Sequence, residues 1–287
     1  PNLEIKLIKI KSSYDKTNHN NNSINRYLGS LEKISKFKFS KIEYFDQYEP
    51  EIIFEKENII FFDNKGTVIK FDKNSDLIWK KNYYSKQEKK TNPFLFFSRY
   101  EDTLIVVDTI SKYYALDINN GKLLWSFYNN APFISDVKIE NGKIFVVDSN
   151  NVLKCFSLKD GSIIWEYKSD SSVIKSSKKI SIAIDDNIVL FNNSIGDINA
   201  VDINTGNLIW ITPTANKANL IQPYLLKISD LVIHDNSVLF SNNNNEFFSI
   251  DIKRGFKNWT QKINTYIRPA IVNDLIFTIT LEGFLVV

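Results

Sequence analysis

A short segment that ends in tryptophan recurs along this chain, and it restricts the possible folds more than any other feature. In its clearest copy, residues 196–210 read GDINAVDINTGNLIW. Each copy has a run of β-forming residues, a polar turn and then a tryptophan. The copies use all five tryptophans of the chain: Trp79, Trp125, Trp165, Trp210 and Trp259. Such a repeat indicates an architecture built from one structural unit used several times.

The repeat predicts four short antiparallel strands per unit. In the third copy, apolar runs cover residues 134–139, 143–147, 152–158 and 163–167, with polar turns between them. Asn-Gly and Asp-Gly pairs favour hairpins because both turn positions need positive φ. Three glycines fall at one register of the repeat: Gly121, Gly161 and Gly206. A period of about 40–50 residues with four strands per unit is typical of a β-propeller.

We therefore predict an all-β fold, a β-propeller of four-stranded antiparallel blades with about five full blades and a sixth that has begun. The tryptophans are expected between blades, where Trp→Ala would cost about 3–5 kcal/mol. The repeat aspartates, such as Asp117 and Asp202, are expected to cap turns through Asx-type hydrogen bonds. The propeller domain is predicted over residues 34–287, after an extended, flexible N-terminal segment over residues 1–33.

Two features of the chain ends extend this prediction. The polar residues 12–27, with an Asn-rich run at residues 18–22, indicate a solvated loop or tether. The sixth repeat stops at Val287 before a turn and tryptophan of its own, so we expect further blades beyond it. The alternative is a closed ring of six blades in which residues 34–45 pair with residues 285–287.

Composition argues against several classes of function. The chain has 36 basic and 33 acidic residues, for a net charge of +3. A nucleic-acid-binding domain would show a strongly basic face, so none is expected. The single cysteine, Cys155, cannot form an intramolecular disulfide and fits a small core position. His19 and His234 are far apart in sequence, without a nearby ligand cluster, so no metal site and no catalytic residue are predicted.

The D-x-x-x-G-x-x-x-W pattern of residues 117–125 and 202–210 resembles the quinoprotein-like, or PQQ-type, propeller repeat. That repeat serves quinone-dependent alcohol dehydrogenases and the BamB family of outer-membrane protein assembly lipoproteins. Residues 28–72 and the long connection after Trp210 resemble the BamB family more closely, within a similarity over about residues 25–287. The chain is thus identified as a member of that family.

The resemblance implies eight blades in the full-length family and a non-catalytic scaffold without a cofactor. It places the protein on the periplasmic side of the bacterial outer membrane, with a lipid anchor that this chain does not show. The implied partner is the barrel-inserting outer-membrane subunit, bound through its POTRA domains. Unfolded outer-membrane proteins are a further candidate partner.

The family's partner-binding loops match two segments of this chain. Ile174 and Lys175 lie in the first segment, and Leu226, Ile228 and Asp230 in the second. Ile228 stands where the family has an acid. Two other functions stay open, a quinoprotein dehydrogenase-like propeller and a ligand-sensing or protein-interaction propeller. The dehydrogenases would need an adjacent cysteine pair and a calcium site, whereas this chain has Cys155 alone.

Overall fold

A computed structural model describes residues 19–22, 50–170, 178–214, 228–242 and 244–287. Within these ranges the chain forms six antiparallel sheets and one short 3₁₀ helix, Glu88–Thr91. The predicted all-β propeller of four-stranded blades is thereby confirmed. Among the described residues, no helix is both long and apolar enough to cross a membrane.

The strands follow one another in chain order within each blade. Blade 1 contains β1 (Ile53–Glu55), β2 (Asn58–Phe62), β3 (Val68–Phe71) and β4 (Leu77–Lys81). Blade 2 contains β5 (Leu95–Tyr100), β6 (Thr103–Asp108), β7 (Lys112–Asp117) and β8 (Leu123–Tyr128). Blade 3 contains β9 (Lys138–Glu140), β10 (Lys143–Val147), β11 (Val152–Ser157) and β12 (Ile163–Lys168).

The remaining blades repeat this order. Blade 4 contains β13 (Ile182–Asp185), β14 (Ile188–Asn192), β15 (Ile198–Asp202) and β16 (Leu208–Thr212). Blade 5 contains β17 (Val232–His234), β18 (Ser237–Ser241), β19 (Glu246–Asp251) and β20 (Lys257–Lys262). Blade 6 contains three strands, β21 (Ala270–Val272), β22 (Leu275–Ile279) and β23 (Leu285–Val286).

The first strand of each blade is the innermost. Strands β1, β5, β9, β13 and β17 contact one another in succession around the axis, whereas outer strands such as β4 and β20 are largely exposed. The middle strands are buried on both faces, as in β10, where residues 144–147 are all buried. Their continuous apolar runs follow from this burial, since each blade covers its neighbour.

Alternating strand direction gives the ring two distinct faces. The connections between blades and the hairpins between second and third strands lie on one, which we call the inter-blade face. The hairpins between first and second strands and the repeat turns lie on the other, the turn face. In these turns the predicted capping occurs: Asp202 Oδ1 accepts hydrogen bonds from the Asn204 and Thr205 amides, and Asp117 Oδ1 from the Asn119 amide.

A tryptophan of each of the first four blades interlocks with the repeat turn of the next blade. The Trp79 indole N–H donates to the Ile118 carbonyl at 3.0 Å, and a Cβ atom on Gly121 would lie 2.8 Å from the same ring. The same pair of contacts recurs at three more interfaces: Trp125 with Leu158 and Gly161, Trp165 with Ile203 and Gly206, and Trp210 with Ile252 and Gly255.

The structure differs from the sequence prediction at three places. Trp259 is 37% exposed and its ring stacks on Phe247 of its own blade, because blade 6 is described over three strands only and has no repeat turn to pack against it. The strand predicted over residues 134–139 begins only at Lys138, because Ser135 forms a bridge to Ile180 of blade 4 instead. A further prediction, the strand over residues 34–45, falls outside the described residues and stays a prediction.

The third difference concerns the Asn-rich run. Residues His19–Asn22 lie inside the ring, against the first strands of blades 3 to 6, and Asn21 is 3% exposed. These four residues are therefore bound to the blades rather than forming a free tether, and Asn21 is buried while Asn20 stays exposed. The physical reason is that amide side chains can satisfy the backbone groups that the innermost strands present to the axis.

The interlock yields a prediction at Gly161. A Cβ there would lie 2.7 Å from the Trp125 ring, and the residue has a φ of +74°. We expect Gly161→Ala to lower the free energy of unfolding by about 2–4 kcal/mol, from the left-handed backbone and from overpacking. Gly142→Ala is the matched control, since Gly142 has a φ of +72° but nothing within 4 Å of its Cβ position. Urea denaturation followed by tryptophan fluorescence measures both; equal losses would contradict the interlock.

Candidate functional site: the inter-blade face

Two of the five predicted partner-binding residues lie in the described part of the chain. Ile228 and Asp230 precede β17 on the inter-blade face. Ile174, Lys175 and Leu226 lie outside the described residues. Their segments begin after Asp170 and Thr214, the last described residues of the connections between blades 3 and 4 and between blades 4 and 5.

Ile228 belongs to the core. It is 2% exposed and packs in one apolar cluster with Trp210 and Phe240. Its side chain therefore anchors the end of the connection rather than lying at the surface. An acid at this buried position would need a partner or pay a desolvation penalty, which explains why an aliphatic residue fits here.

Asp230 lies at the surface beside a cation of the next blade. Its Oδ2 is 3.1 Å from Nε of Arg268, and the Asp230 side chain is 23% exposed. The preceding Ser229 accepts a hydrogen bond from the Ser241 amide at 2.9 Å and so fixes the backbone. Burial lowers the pKa of nearby Lys178 to about 8, although the charge of Asp230 opposes the shift.

Other charged residues continue around the axis on the same face. Lys179 Nζ lies 2.7 Å from Glu51 Oε1 and 2.6 Å from Asp136 Oδ1. Burial alone would lower the pKa of Lys179, but the two carboxylates raise it above its ordinary value. These side chains come from blades 1, 3 and 4, since each precedes the first strand of its blade. The face thus carries charges that are paired with one another, and Arg268, at 45% exposed, is the most accessible of these side chains.

One buried turn residue in each of blades 1 to 5 shapes the inter-blade face, and sequence reasoning missed it. It directly follows the second strand or ends it, and its Oδ1 accepts the backbone N–H groups two and four residues further on. The five residues are Asp63, Asp108, Asp148, Asn193 and Asn242. An Asp or Asn at this register of the first five repeats was the available signal.

In blades 2 to 5, the second polar atom of this residue binds the preceding inter-blade connection. In blades 2 and 3 that connection offers a donor: Tyr84 Oη donates to Asp108 Oδ2 at 2.5 Å, and Asn129 Nδ2 to Asp148 Oδ2 at 3.1 Å. Because an aspartate only accepts hydrogen bonds when ionised, it fits both places.

In blades 4 and 5 the connection offers an acceptor, and the turn residue is an asparagine. Asn242 Nδ2 donates to the Thr214 carbonyl at 2.9 Å, and Asn193 Nδ2 to the Asp170 carbonyl at 3.4 Å. Asn151 adds a donor to the same Asp170 carbonyl at 2.8 Å. The choice between Asp and Asn thus follows the hydrogen-bonding partner, and the two asparagines hold the base of the two connections predicted to bind a partner.

The residues considered for metal binding and catalysis lie in ordinary positions. In the described ranges, His, Cys, Asp and Glu do not gather in any group of three or more that could hold a metal ion. Cys155 is fully buried, and burial raises the pKa of its thiol to about 12. His234 Nε2 lies 3.4 Å from Asp235 Oδ2 on the turn face.

The family model for outer membrane protein assembly factor BamB matches residues 52–285. A curated BamB of Francisella tularensis is 29% identical over 72 residues, which are 25% of this chain and 13% of that protein. The chain thus aligns with a small part of the length of this curated relative.

Two solved structures show the same architecture. BamB from Moraxella catarrhalis superposes with a TM-score of 0.64 at 16% identity, covering 82% of this chain and 70% of the other. A quinohemoprotein alcohol dehydrogenase from Pseudomonas putida superposes with a TM-score of 0.58 at 13% identity, covering 75% and 42%. At these identities the likeness is one of fold.

The rule for the buried turn residue predicts the effect of Asn242→Asp. The new carboxylate keeps both turn hydrogen bonds but faces the Thr214 carbonyl and the Glu246 carboxylate, to which Asn242 Nδ2 now donates. We expect the free energy of unfolding to fall by about 1–3 kcal/mol. Asn207→Asp, the same change at an exposed asparagine of a repeat turn, is the control and should change it by less than about 0.5 kcal/mol. Equal effects in thermal unfolding would refute the rule.

The buried carboxyl of Asp108 should make the stability of the fold depend on pH. Burial raises the pKa of its carboxyl from 3.8 to about 6, against the hydrogen bond from Tyr84. Between these two pH values, Asp108 holds a proton in the folded state that it has lost in the unfolded chain. Its contribution to the free energy of unfolding therefore falls as pH rises from about 4 to about 6. Asp108→Asn removes this slope, and its stability relative to wild type should rise by up to about 3 kcal/mol between pH 4 and pH 7. Urea denaturation measures both proteins across this pH range. Parallel pH profiles of the free energy of unfolding for wild type and Asp108→Asn would contradict the raised pKa of Asp108.

Proposed function

Because the chain belongs to the family of outer membrane protein assembly factor BamB, we propose that it is a non-catalytic scaffold of outer-membrane β-barrel assembly. The observation that carries this proposal is the match of the family model over residues 52–285, which includes every described blade. The scaffold would work on the periplasmic side of the outer membrane, held there by a lipid anchor. It would bind the POTRA domains of the barrel-inserting subunit.

The inter-blade face supports this proposal by its geometry. Both connections that match the family's partner-binding loops leave the ring on this face. Asp230 is held rigidly by Ser229 behind it, and its partner Arg268 is 45% exposed. A protein partner can thus hydrogen-bond both members of the pair without reorganising the backbone, and preorganisation of this kind favours affinity.

The chemistry of the pair also favours a protein partner. A half-buried acid beside an exposed cation, with apolar residues predicted on the adjacent loops, combines a polar rim with apolar contacts, as protein interfaces do. Ile174 and Leu226 would supply the apolar contacts and Lys175 a further charge. Ile228 would act from within the core by holding the end of the second connection in place.

A binding experiment with charge reversal on the two faces tests the proposed site. Asp230→Arg places a second cation beside Arg268, and we expect the affinity for purified POTRA domains to fall at least about tenfold, or 1.4 kcal/mol. Asp235→Arg is the matched control, because Asp235 lies in the same blade on the turn face and its side chain is 84% exposed. The control should bind within about twofold of wild type.

Ile174→Glu extends the test to the first connection and should weaken binding in the same assay. Thermal unfolding of each variant verifies that the propeller stays folded. Wild-type protein that does not bind POTRA domains would overturn the proposed function. Wild-type binding with equal affinities for Asp230→Arg and Asp235→Arg would remove the inter-blade face from it.

A further inference from the structure

Residues His19–Asn22 bind the innermost strands of successive blades in a regular way. The amides of Ile184, Ile233 and Ile271 donate to the His19 carbonyl, the Asn20 carbonyl and Asn22 Oδ1, at 2.8, 2.8 and 3.0 Å. Each isoleucine is the second-to-last residue of its strand, β13, β17 or β21. Three residues of one short segment thus bind the same backbone position in three neighbouring blades. We call this segment, His19–Asn22, the axial segment.

Asn21 is recognised through both atoms of its amide. Its Nδ2 donates to the carbonyls of Ile182 and Leu231 at 2.9 and 2.8 Å, and its Oδ1 accepts from Lys138 Nζ at 2.5 Å. Two donors and one acceptor in this geometry are available only from a carboxamide. An aspartate would place a carboxylate oxygen against two carbonyls, and an alanine would leave them without these hydrogen bonds.

The two ends of the axial segment bind further blades. Asn22 Nδ2 donates to the Ile271 carbonyl at 3.1 Å, so that one asparagine amide pairs with both backbone groups of Ile271. At the other end, His19 Nε2 lies 3.2 Å from Oε2 of Glu140 in blade 3. Four consecutive residues therefore contact four consecutive blades, from blade 3 to blade 6.

The axis of the ring has a physical need for such contacts. The first strand of each blade pairs on one side only, so its other edge presents backbone N–H and C=O groups to the axis. Buried backbone groups without a partner cost about 1–3 kcal/mol each. Apolar side chains cannot satisfy these groups, whereas a peptide with amide side chains can.

We propose that the inner edges of blades 3 to 6 form a peptide-binding site specific for an asparagine side chain, and that the chain's own axial segment occupies it as an intramolecular ligand. The ligand class is a short peptide that offers backbone carbonyls to β13 and β17 and a buried carboxamide to Lys138. Tethering raises the effective concentration of this ligand to the millimolar range, so it outcompetes free peptides of the same sequence. This inference does not rest on the binding of POTRA domains.

Hydrogen exchange in the full chain tests the site. Asn21→Asp and Asn21→Ala should each speed the exchange of the Ile184, Ile233 and Ile271 amides at least tenfold, with the amides of β6 in blade 2 as an internal reference. Asn187→Ala is the control, because Asn187 is an exposed asparagine in the β13–β14 hairpin. Unchanged protection of the three isoleucine amides in both Asn21 variants would overturn the proposal.

A second measurement tests binding by a separate peptide. The full chain with His19, Asn20, Asn21 and Asn22 all replaced by glycine is titrated with a fluorescent peptide of residues 16–25. We expect saturable binding, at least tenfold weaker binding of the peptide with Asn21→Ala, and little binding to wild type, whose site is filled. Equal binding to both proteins would show surface adhesion and overturn the proposal, as would no binding to a folded glycine variant. If that variant does not fold, the exchange experiment decides.

Discussion

The contact between a tryptophan of one blade and a glycine turn of the next joins separate sheets into a ring. At each such interface the indole N–H donates to a backbone carbonyl while the indole ring lies against the glycine, as for Trp79 with Ile118 and Gly121. The glycine meets two requirements at once. Its φ of about +70° closes the turn, and its missing Cβ leaves room for the ring. This double requirement explains why the turn and the tryptophan recur together at fixed spacing.

Local features made much of this fold predictable from the sequence. Strand β10 has the predicted bounds, and β11 and β12 begin at the predicted residues, since each is an apolar run bounded by a turn whose chemistry is local. The capping role of Asp202 follows from the same local chemistry. The short strand β9 was less predictable, because Ser135 pairs with Ile180 of another blade. A contact between blades depends on the assembled ring and leaves no periodic signal.

The polar positions were the hardest to predict. Asn21 lies in a run whose composition indicates solvation, yet its partners Ile182 and Leu231 are 161 and 210 residues away in sequence. The anchoring pair of Asn242 and Thr214 is likewise polar and between blades. Hydrophobic periodicity identifies which strands are buried, but not which polar groups meet inside. Those pairings depend on geometry that only the assembled blades provide.

The candidate partner-binding face and the axial segment share the same strands. Asp230 directly precedes Leu231, whose carbonyl accepts from Asn21, and Arg268 lies two residues before β21, which binds Asn22. The strand that begins beside a surface charge is thus held, a few residues later, by hydrogen bonds at the axis. Both strands are thus bound by the axial segment a few residues after the charged side chains, and the axial segment positions the backbone that carries the pair. The repeated residues form the interfaces between blades. Asn21 and Asn22, which lie outside the repeat, instead bind the backbone next to the candidate partner-binding residues.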